Sequence, residues 1–202
     1  MPQSSDASPT TRRRRSDARR SVETIIASAR ALLADHTDAS MEELAKTAGV
    51  SRQTVYAHFP SRDLLVTAVI DAERAEGLAA LEAAHLDELP AVDAVRRFLD
   101  ISWELAERCP LLLEPTLART RGPDGSDAHD LVGPHLQRII ERGQHEGDFD
   151  DALPADWLTA TTFALGHAAV EEIGTGRLTT DEASDLLLRS VLRLCGAAAK
   201  PL

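Results

Sequence analysis

Cysteine, asparagine and aromatic residues are scarce in this sequence of 202 residues. Cysteine occurs twice, asparagine is absent and aromatic residues make up 3%. Cys109 and Cys195 are far apart and lack the paired spacing of zinc motifs, so we exclude a disulfide framework and a zinc-binding domain. No apolar run approaches the roughly 20 residues of a membrane-spanning helix, and the N-terminus lacks the hydrophobic segment of a secretory signal. These absences predict a cytoplasmic protein.

Strand-like runs of Val, Ile, Thr and Tyr are also missing, whereas Ala, Leu, Glu and Arg dominate the composition. These four residue types include the best helix formers. From residue 17 onwards, apolar residues recur at three- and four-residue steps, and Gly, Pro and capping residues divide them into segments. We therefore predict an all-α protein of about nine helices, one of which starts at Pro110 and ends near Arg121.

Recurrent enzyme motifs are absent from the sequence. It has no glycine-rich nucleotide loop, no H-E-x-x-H pair and no nucleophile elbow, so we expect no enzyme, no catalytic residue and no cofactor. His129 and His135 lack the spacing of metal ligands, and we expect no metal site. Cys109 could sense oxidants, but a lone cysteine is more typical of a small apolar core residue.

The net charge of −11 is unevenly distributed along the chain. Residues 1–60 contain nine Lys or Arg and seven Asp or Glu, whereas residues 61–202 contain thirteen and twenty-six. A basic N-terminal part followed by an acidic remainder predicts a polyanionic partner at the N-terminal end. The alternative is a basic tail that is merely solvated. Residues 1–16 have no apolar periodicity and predict a disordered basic arm. The arginines from Arg12 to Arg15 fit either contact with DNA or a free tail.

Residues 40–62 contain the most informative pattern, two short helices separated by a glycine. Ser40 and Glu43 form a capping-box pattern that starts the first helix. Gly49 ends that helix at a turn that needs a positive φ, and Ser51 can cap the second helix. Two closely crossed helices require small and branched apolar residues between them. In this stretch such residues are Leu44, Ala45, Ala48, Val50 and Val55. The pattern predicts a helix-turn-helix.

The second of these helices is left with polar residues on its outer face. Such side chains suit base edges and phosphates in a major groove. Hydroxyls at the helix starts and an arginine that opens the next helix are placed to reach the phosphate backbone. The residues predicted to contact DNA are Ser40, Ser51, Arg52, Gln53, Thr54, Tyr56, His58 and Arg62. The alternative is two solvated surface helices of a bundle.

The stretch from Ala48 to Leu65, AGVSRQTVYAHFPSRDLL, resembles the signature of the TetR (tetracycline-repressor) family. Gly, Thr, Tyr, Phe and the final Leu of that signature occur here in the same register, and the resemblance is strong over about residues 20–70. Residues 140–149 show a weaker similarity, because many members have a comparable R-G-x-x-x-G-x-[FL] stretch between their seventh and eighth helices.

This resemblance implies a homodimeric repressor that binds double-stranded DNA at a palindromic operator and is released by a small apolar or amphipathic effector. It implies a helix-turn-helix DNA-binding domain over residues 17–66 and a helical ligand-binding and dimerisation domain over residues 67–202. The operator, the effector and the choice between repressor and activator are left open. The alternative is an all-helical small-molecule-binding protein or enzyme with a structural helix-turn-helix.

The middle helices supply candidates for the effector pocket, although plain core packing explains the same residues. These candidates are Phe98, Ser102, Trp103, Leu112, Leu113, Leu136, Ile139, Phe163 and His167. The last two helices have more apolar surface than one short body covers, so we predict a four-helix dimer interface with a second subunit. On the last helix this apolar surface comprises Leu186, Leu187, Val191 and Leu194.

Overall fold

The computed structural model describes residues 9–113 and 128–197, and within these ranges it contains helices and no strands. Eight α-helices are present there: α1 (Pro9–Asp35), α2 (Met41–Thr47), α3 (Arg52–His58), α4 (Arg62–Ala83), α5 (Ala91–Arg108), α6 (Ala128–Glu146), α7 (Ala155–Gly174) and α8 (Thr180–Leu194). Short 3-10 helices follow α4 at Leu86–Glu88 and α5 at Pro110–Leu113. The predicted all-α class is confirmed.

The chain divides into two compact units, which we call unit 1 and unit 2. Unit 1 ends at Ala72 and unit 2 begins at Glu73. This boundary lies inside the continuous helix α4, so no loop or linker separates the two units.

In unit 1, α2 packs against both α1 and α3. The inner face of α1 is formed by Ile25, Ala29 and Leu33, which are fully buried and follow one another at four-residue steps. That spacing puts them on one side of a helix. Leu44 of α2 and Val55 of α3 complete the buried surface between the short helices.

In unit 2, α5 packs against α6 and α8, while α7 packs against the same two helices. The core between them is built from large apolar side chains, including Phe98, Leu136, Ile139, Ile140, Leu158 and Val191. After α6 ends at Glu146, the chain turns back so that Phe149 lies against Gly143. There a Cβ on Gly143 would lie 2.3 Å from the ring of Phe149 and 2.9 Å from Ala91, so only glycine fits at position 143.

Two sequence predictions need correction here. Residues 9–16 of the predicted disordered arm belong to α1, since arginine favours helices and proline is tolerated in a first turn; residues 1–8 lie outside the described residues. The helix predicted from Pro110 is described only as far as Leu113, where it is a 3-10 helix. The rest of that predicted helix, to Arg121, is outside the described residues.

A helix that crosses a bilayer must be both long enough and predominantly apolar. Within residues 9–113 and 128–197, no helix meets both requirements.

Candidate DNA-binding interface

The turn between α2 and α3 depends on Gly49, whose φ is +66°. The amide of Gly49 donates to the carbonyl of Lys46 at 3.1 Å, and the amide of Val50 donates to the carbonyl of Ala45 at 3.1 Å. These two bonds form a Schellman motif, which ends a helix with a left-handed residue. The predicted positive-φ turn is therefore present, and it directs the chain from α2 into α3.

The first turn of α2 is closed by a capping box between Ser40 and Glu43. The Glu43 amide donates to the Ser40 hydroxyl oxygen at 3.3 Å, and the Ser40 amide and hydroxyl donate to Glu43 Oε2 at 2.8 and 2.7 Å. Hydrogen bonds from the Ser40 backbone and then its side chain lower the pKa of Glu43, because they stabilise the charged carboxylate. The Ser40 hydroxyl is thus already engaged inside the protein.

Ser51 caps α3 in a similar way. Its hydroxyl oxygen accepts a hydrogen bond from the Thr54 amide at 3.1 Å and lies 2.8 Å from the Thr54 hydroxyl. Thr54 is half-buried. Two residues that were predicted to contact DNA therefore also fix the start of α3, and this geometry gives them a structural role as well.

Arg52 is held at the first turn of α3 by two neighbours. Its guanidinium lies 5.4 Å from the centre of the Tyr56 ring, within the range of a cation–π interaction. It also lies 3.9 Å from Glu42 Oε2 on α2. Tyr56, and to a lesser extent Glu42, stabilise the charged guanidinium and raise the pKa of Arg52. Sequence reasoning missed Glu42, although an acidic residue beside an otherwise polar DNA-facing surface is a visible signal.

The two faces of α3 differ sharply in exposure. Arg52, Gln53 and Tyr56 are exposed and His58 is half-buried, whereas Val55 and the following Phe59 are buried. A short helix with one buried apolar face and one exposed polar face presents its polar side chains to solvent. This face has the side chains and the accessibility that reading base edges requires.

Arg62 occupies a different position from the other candidates. Its side chain donates to the carbonyl of Ala39 at 2.9 Å and to the carbonyl of Thr37. The guanidinium therefore ties the loop before α2 to the start of α4. Its predicted contact with the DNA backbone would have to coexist with these two hydrogen bonds.

The candidate pocket residues do not come together at one place among the described side chains. Phe98, Leu136 and Ile139 are core residues with at most 1% exposure. Ser102 donates to the Phe98 carbonyl at 2.8 Å, and the indole of Trp103 lines a groove of about 240 Å³ between α5 and α8. Leu112 is half-buried, and the side chain of Leu113 is outside the described part.

Phe163 and His167 are the two pocket candidates that share a cavity. They line an open groove of about 550 Å³ between α6 and α7, together with Gly133, Pro134, Gln137, Asp156, Thr159, Ala160 and Ala164. The groove combines apolar and aromatic walls with a carboxylate and an amide. That composition is typical of sites for small molecules that have both polar and apolar parts.

A buried carboxylate in unit 2 also went unnoticed in the sequence. Glu73 is fully buried in α4, and its Oε2 lies 3.6 Å from the Arg108 guanidinium at the end of α5. Arg108 is also 3.6 Å from Glu76. The spacing of apolar residues in the sequence does not indicate that Glu73 is buried, because its partner Arg108 lies on another helix. Across residues 9–113 and 128–197, no cluster of three or more His, Cys, Asp or Glu side chains has the geometry to hold a metal ion.

The exposed apolar side chains of the last two helices define a narrower surface than the sequence predicts. Val191 and Leu187 are buried within the chain at 1% and 7% exposure, whereas Leu186 and Leu194 are exposed at 42% and 39%. The prediction that Leu187 and Val191 are available to a partner is therefore wrong, since both belong to the core of unit 2. On α7, Trp157, Ala160, Ala164 and Ala168 are exposed along one stripe.

Comparisons with known proteins agree with this architecture. Residues 25–69 match the family described as bacterial regulatory proteins, tetR family. The HTH-type transcriptional repressor LfrR of Mycolicibacterium smegmatis is 27% identical over 156 residues, which cover 75% of this chain and 78% of that relative.

Two solved structures show the same fold. The structure of LfrR from Mycobacterium smegmatis in complex with proflavine is 23% identical with a TM-score of 0.67, covering 90% of this chain and 99% of that one. A regulator from Saccharomonospora viridis in complex with choline is 19% identical with a TM-score of 0.74, covering 87% and 96%. With the Gly49 turn and the exposed polar face of α3, these findings show that residues 25–69 are similar to the helix-turn-helix domain of the bacterial tetR-family regulatory proteins, and that the chain shares the fold of such regulators.

Proposed function

We propose that the protein is a repressor rather than an enzyme, and that a homodimer binds a palindromic operator in the cytoplasm. The observation that carries this proposal is the geometry of α3. The Gly49 turn fixes the helix, Val55 anchors its inner face, and Arg52, Gln53 and Tyr56 extend from its outer face. A helix of seven residues reads only a few base pairs, so a specific site requires two copies related by symmetry.

The proposed dimer interface is formed by α7 and α8. The stripe from Trp157 to Ala168 allows close approach of a second helix, because three of its four exposed residues are alanines. Two of these alanines, Ala160 and Ala164, also line the groove beside Phe163, so the partner helix would border that groove. Leu186 and Leu194 add apolar surface on the neighbouring helix. Pairing these helices with their copies would give a four-helix bundle and would cover side chains that water now contacts.

The proposed effector is a small amphipathic molecule bound in unit 2. The groove beside Phe163 and His167 supports this choice through its aromatic wall and its Asp156 carboxylate. Similar proteins were solved with proflavine and with choline, both of which carry polar and apolar parts. Release from DNA would follow if the effector prefers a dimer whose recognition helices have a different spacing, and its effect is limited to that difference in affinity.

Operator binding is tested in mobility-shift and footprinting assays with the DNA that lies upstream of the gene for this protein. Arg52→Ala or Gln53→Ala should weaken binding to the protected site by roughly 1–3 kcal/mol, about 5- to 150-fold, if each side chain makes one good base contact. Arg97→Ala, which removes an exposed arginine of α5, is the control and should bind as the wild type does. Unchanged affinity and base preference in both α3 variants would contradict the proposal.

A thermal-shift screen with small molecules separates the proposal from its alternative. A compound that stabilises the protein and also lowers operator affinity supports a ligand-responsive repressor. Stabilisation by a compound without any shift of the upstream DNA would favour a small-molecule-binding protein whose helix-turn-helix is structural.

A further inference from the structure

The described side chains of α1 begin with an exposed turn. The helix begins at Pro9, and among its residues 17–35, whose side chains the structure describes, the first buried one is Ile25. Residues 17–20 are all exposed, and four consecutive residues cover slightly more than one turn of a helix. No side of this turn is therefore covered by other parts of the protein.

The charge of this segment does not favour a free helix. Between Pro9 and Arg20 the sequence has six arginines and one acidic residue, Asp17. Positive charges in the first turns oppose the helix dipole, and arginines three or four residues apart destabilise a helix by repulsion. The ion pairs Arg19–Glu23 at 2.9 Å and Arg20–Asp17 at 3.9 Å are exposed, and exposed pairs contribute little to stability.

We propose that residues 9–20, the basic extension, lie along the phosphate backbone of DNA that flanks the bases contacted by α3, and that this contact stabilises the first turns of α1. The inference rests on the proposed function. A polyanion beside the extension would remove both the repulsion between arginines and the conflict with the dipole. DNA is the partner that the fold favours, because the whole of α1 belongs to unit 1, which also contains α3.

The length of the basic extension sets the size of the expected contact. Twelve helical residues span about 18 Å at 1.5 Å per residue, which equals about five base-pair steps at 3.4 Å. Each arginine that neutralises one phosphate should steepen the dependence of log affinity on log salt by about 0.9. Operator duplexes with longer ends should therefore bind more tightly until about five additional base pairs are present on each side.

The test compares the wild type with R12Q/R13Q/R14Q/R15Q on operator duplexes that carry zero, five or ten additional flanking base pairs, at several salt concentrations. Glutamine and arginine have similar helix propensities, so the variant removes charge and keeps the helix-forming tendency. The matched control, R96Q/R97Q/R138Q/R177Q, removes four exposed arginines from unit 2. Fluorescence anisotropy gives the dissociation constants.

We expect wild type and control to gain at least about tenfold in affinity from the first five flanking pairs and nothing from the next five. The quadruple variant of the extension should bind the shortest duplex as the wild type does, gain much less from the flanks because only Arg19 and Arg20 remain, and show a shallower salt slope on the flanked duplexes. Equal flank dependence and equal slopes in wild type and variant would overturn the inference while leaving the proposed function intact. Failure of the wild type to bind any of the duplexes would overturn both.

Amide hydrogen exchange measures the second half of the proposal. On the duplex with five flanking pairs, residues 9–20 of the wild type should become protected, while the shortest duplex should leave them as they are in the free protein. Unchanged exchange on the longer duplex would show that DNA does not stabilise this part of α1.

Discussion

Gly49 is the residue whose backbone most directly determines the path from α2 to α3. Its φ of +66° is unfavourable for any residue with a Cβ, although a Cβ at this position would meet no other atom within 4 Å. Gly49→Ala should therefore destabilise the protein through backbone strain alone, by about 1–2 kcal/mol. Chemical denaturation followed by circular dichroism measures this difference in the free energy of unfolding.

Gly174→Ala is the control for that experiment. Gly174 is the last residue of α7, lies outside the positive-φ region and also has open space around it. Alanine there should leave stability unchanged or raise it slightly, since it restricts the unfolded chain. Equal stabilities for the two variants would show that the turn accepts other conformations.

The sequence predicted which residues form the helix-turn-helix, but not which hydrogen bonds each of their side chains makes. The motif identified Ser51, Thr54 and Arg62 as DNA contacts because it records polar residue types. In the structure their side chains bond to each other or to backbone carbonyls. Only the folded arrangement distinguishes these three from Gln53, which is exposed and has the same polar character in sequence.

Among the helices, α8 provides the clearest test of how two copies associate. Leu194→Glu places a charge on an exposed position, so it should give a folded monomer at micromolar concentration if α8 pairs with a partner. Val191→Glu should instead unfold unit 2, because an unpaired buried charge costs several kcal/mol. Light scattering measures the mass, and circular dichroism confirms that helix content is retained in the first variant.

Leu64→Glu is the matched substitution outside the proposed interface. Leu64 is 52% exposed in the first turn of α4, so this variant should remain a dimer and keep its helix content. A dimeric Leu194→Glu protein, or a wild type that is monomeric at the same concentration, would contradict an interface formed by α8.

The helices themselves were largely predictable, whereas their ends were less so. The capping box at Ser40 was predicted from S-x-x-E and is formed in the structure. A second capping box at Thr179, with the pattern T-x-x-E, is also formed and was not predicted. The start of α1 was missed because residues 9–16 lack an apolar face, and apolar periodicity is the main signal for a helix. On α8, Val191 is buried and Leu194 is exposed, because α8 packs against α5 on one side only. The local sequence of α8 does not show which of its apolar residues face α5.

For the whole molecule, the two cysteines offer a probe of how readily unit 2 opens. Cys109 and Cys195 are buried and form no disulfide. Burial raises the pKa of the Cys195 thiol to about 11, since the thiolate is disfavoured away from water. Neither thiol should react with a disulfide reagent at pH 8 in the folded protein, and both should react in denaturant; mass spectrometry identifies the labelled residue.

The same shift has a consequence for stability at high pH. The folded pKa of Cys195 exceeds the unfolded value of about 8.5, so folding holds the proton more tightly. This stabilisation is complete below about pH 8.5 and is lost as pH rises toward about 11. The control for the labelling experiment is Ala57→Cys, at an exposed position in unit 1. This cysteine should be labelled at once at pH 8. Rapid labelling of Cys195 under native conditions would show that unit 2 opens frequently.

The close packing around Gly143 restricts how this sequence can diverge. A side chain at position 143 would collide with Phe149 from the following turn and also with Ala91 from the start of α5. Replacing Phe149 alone would relieve only one of these collisions, so a single compensating mutation could not make a larger residue acceptable. Among homologues that keep this fold, we therefore expect positions 91, 143 and 149 to covary as a group of three, and a pairwise search for coupled positions would underestimate the link between them.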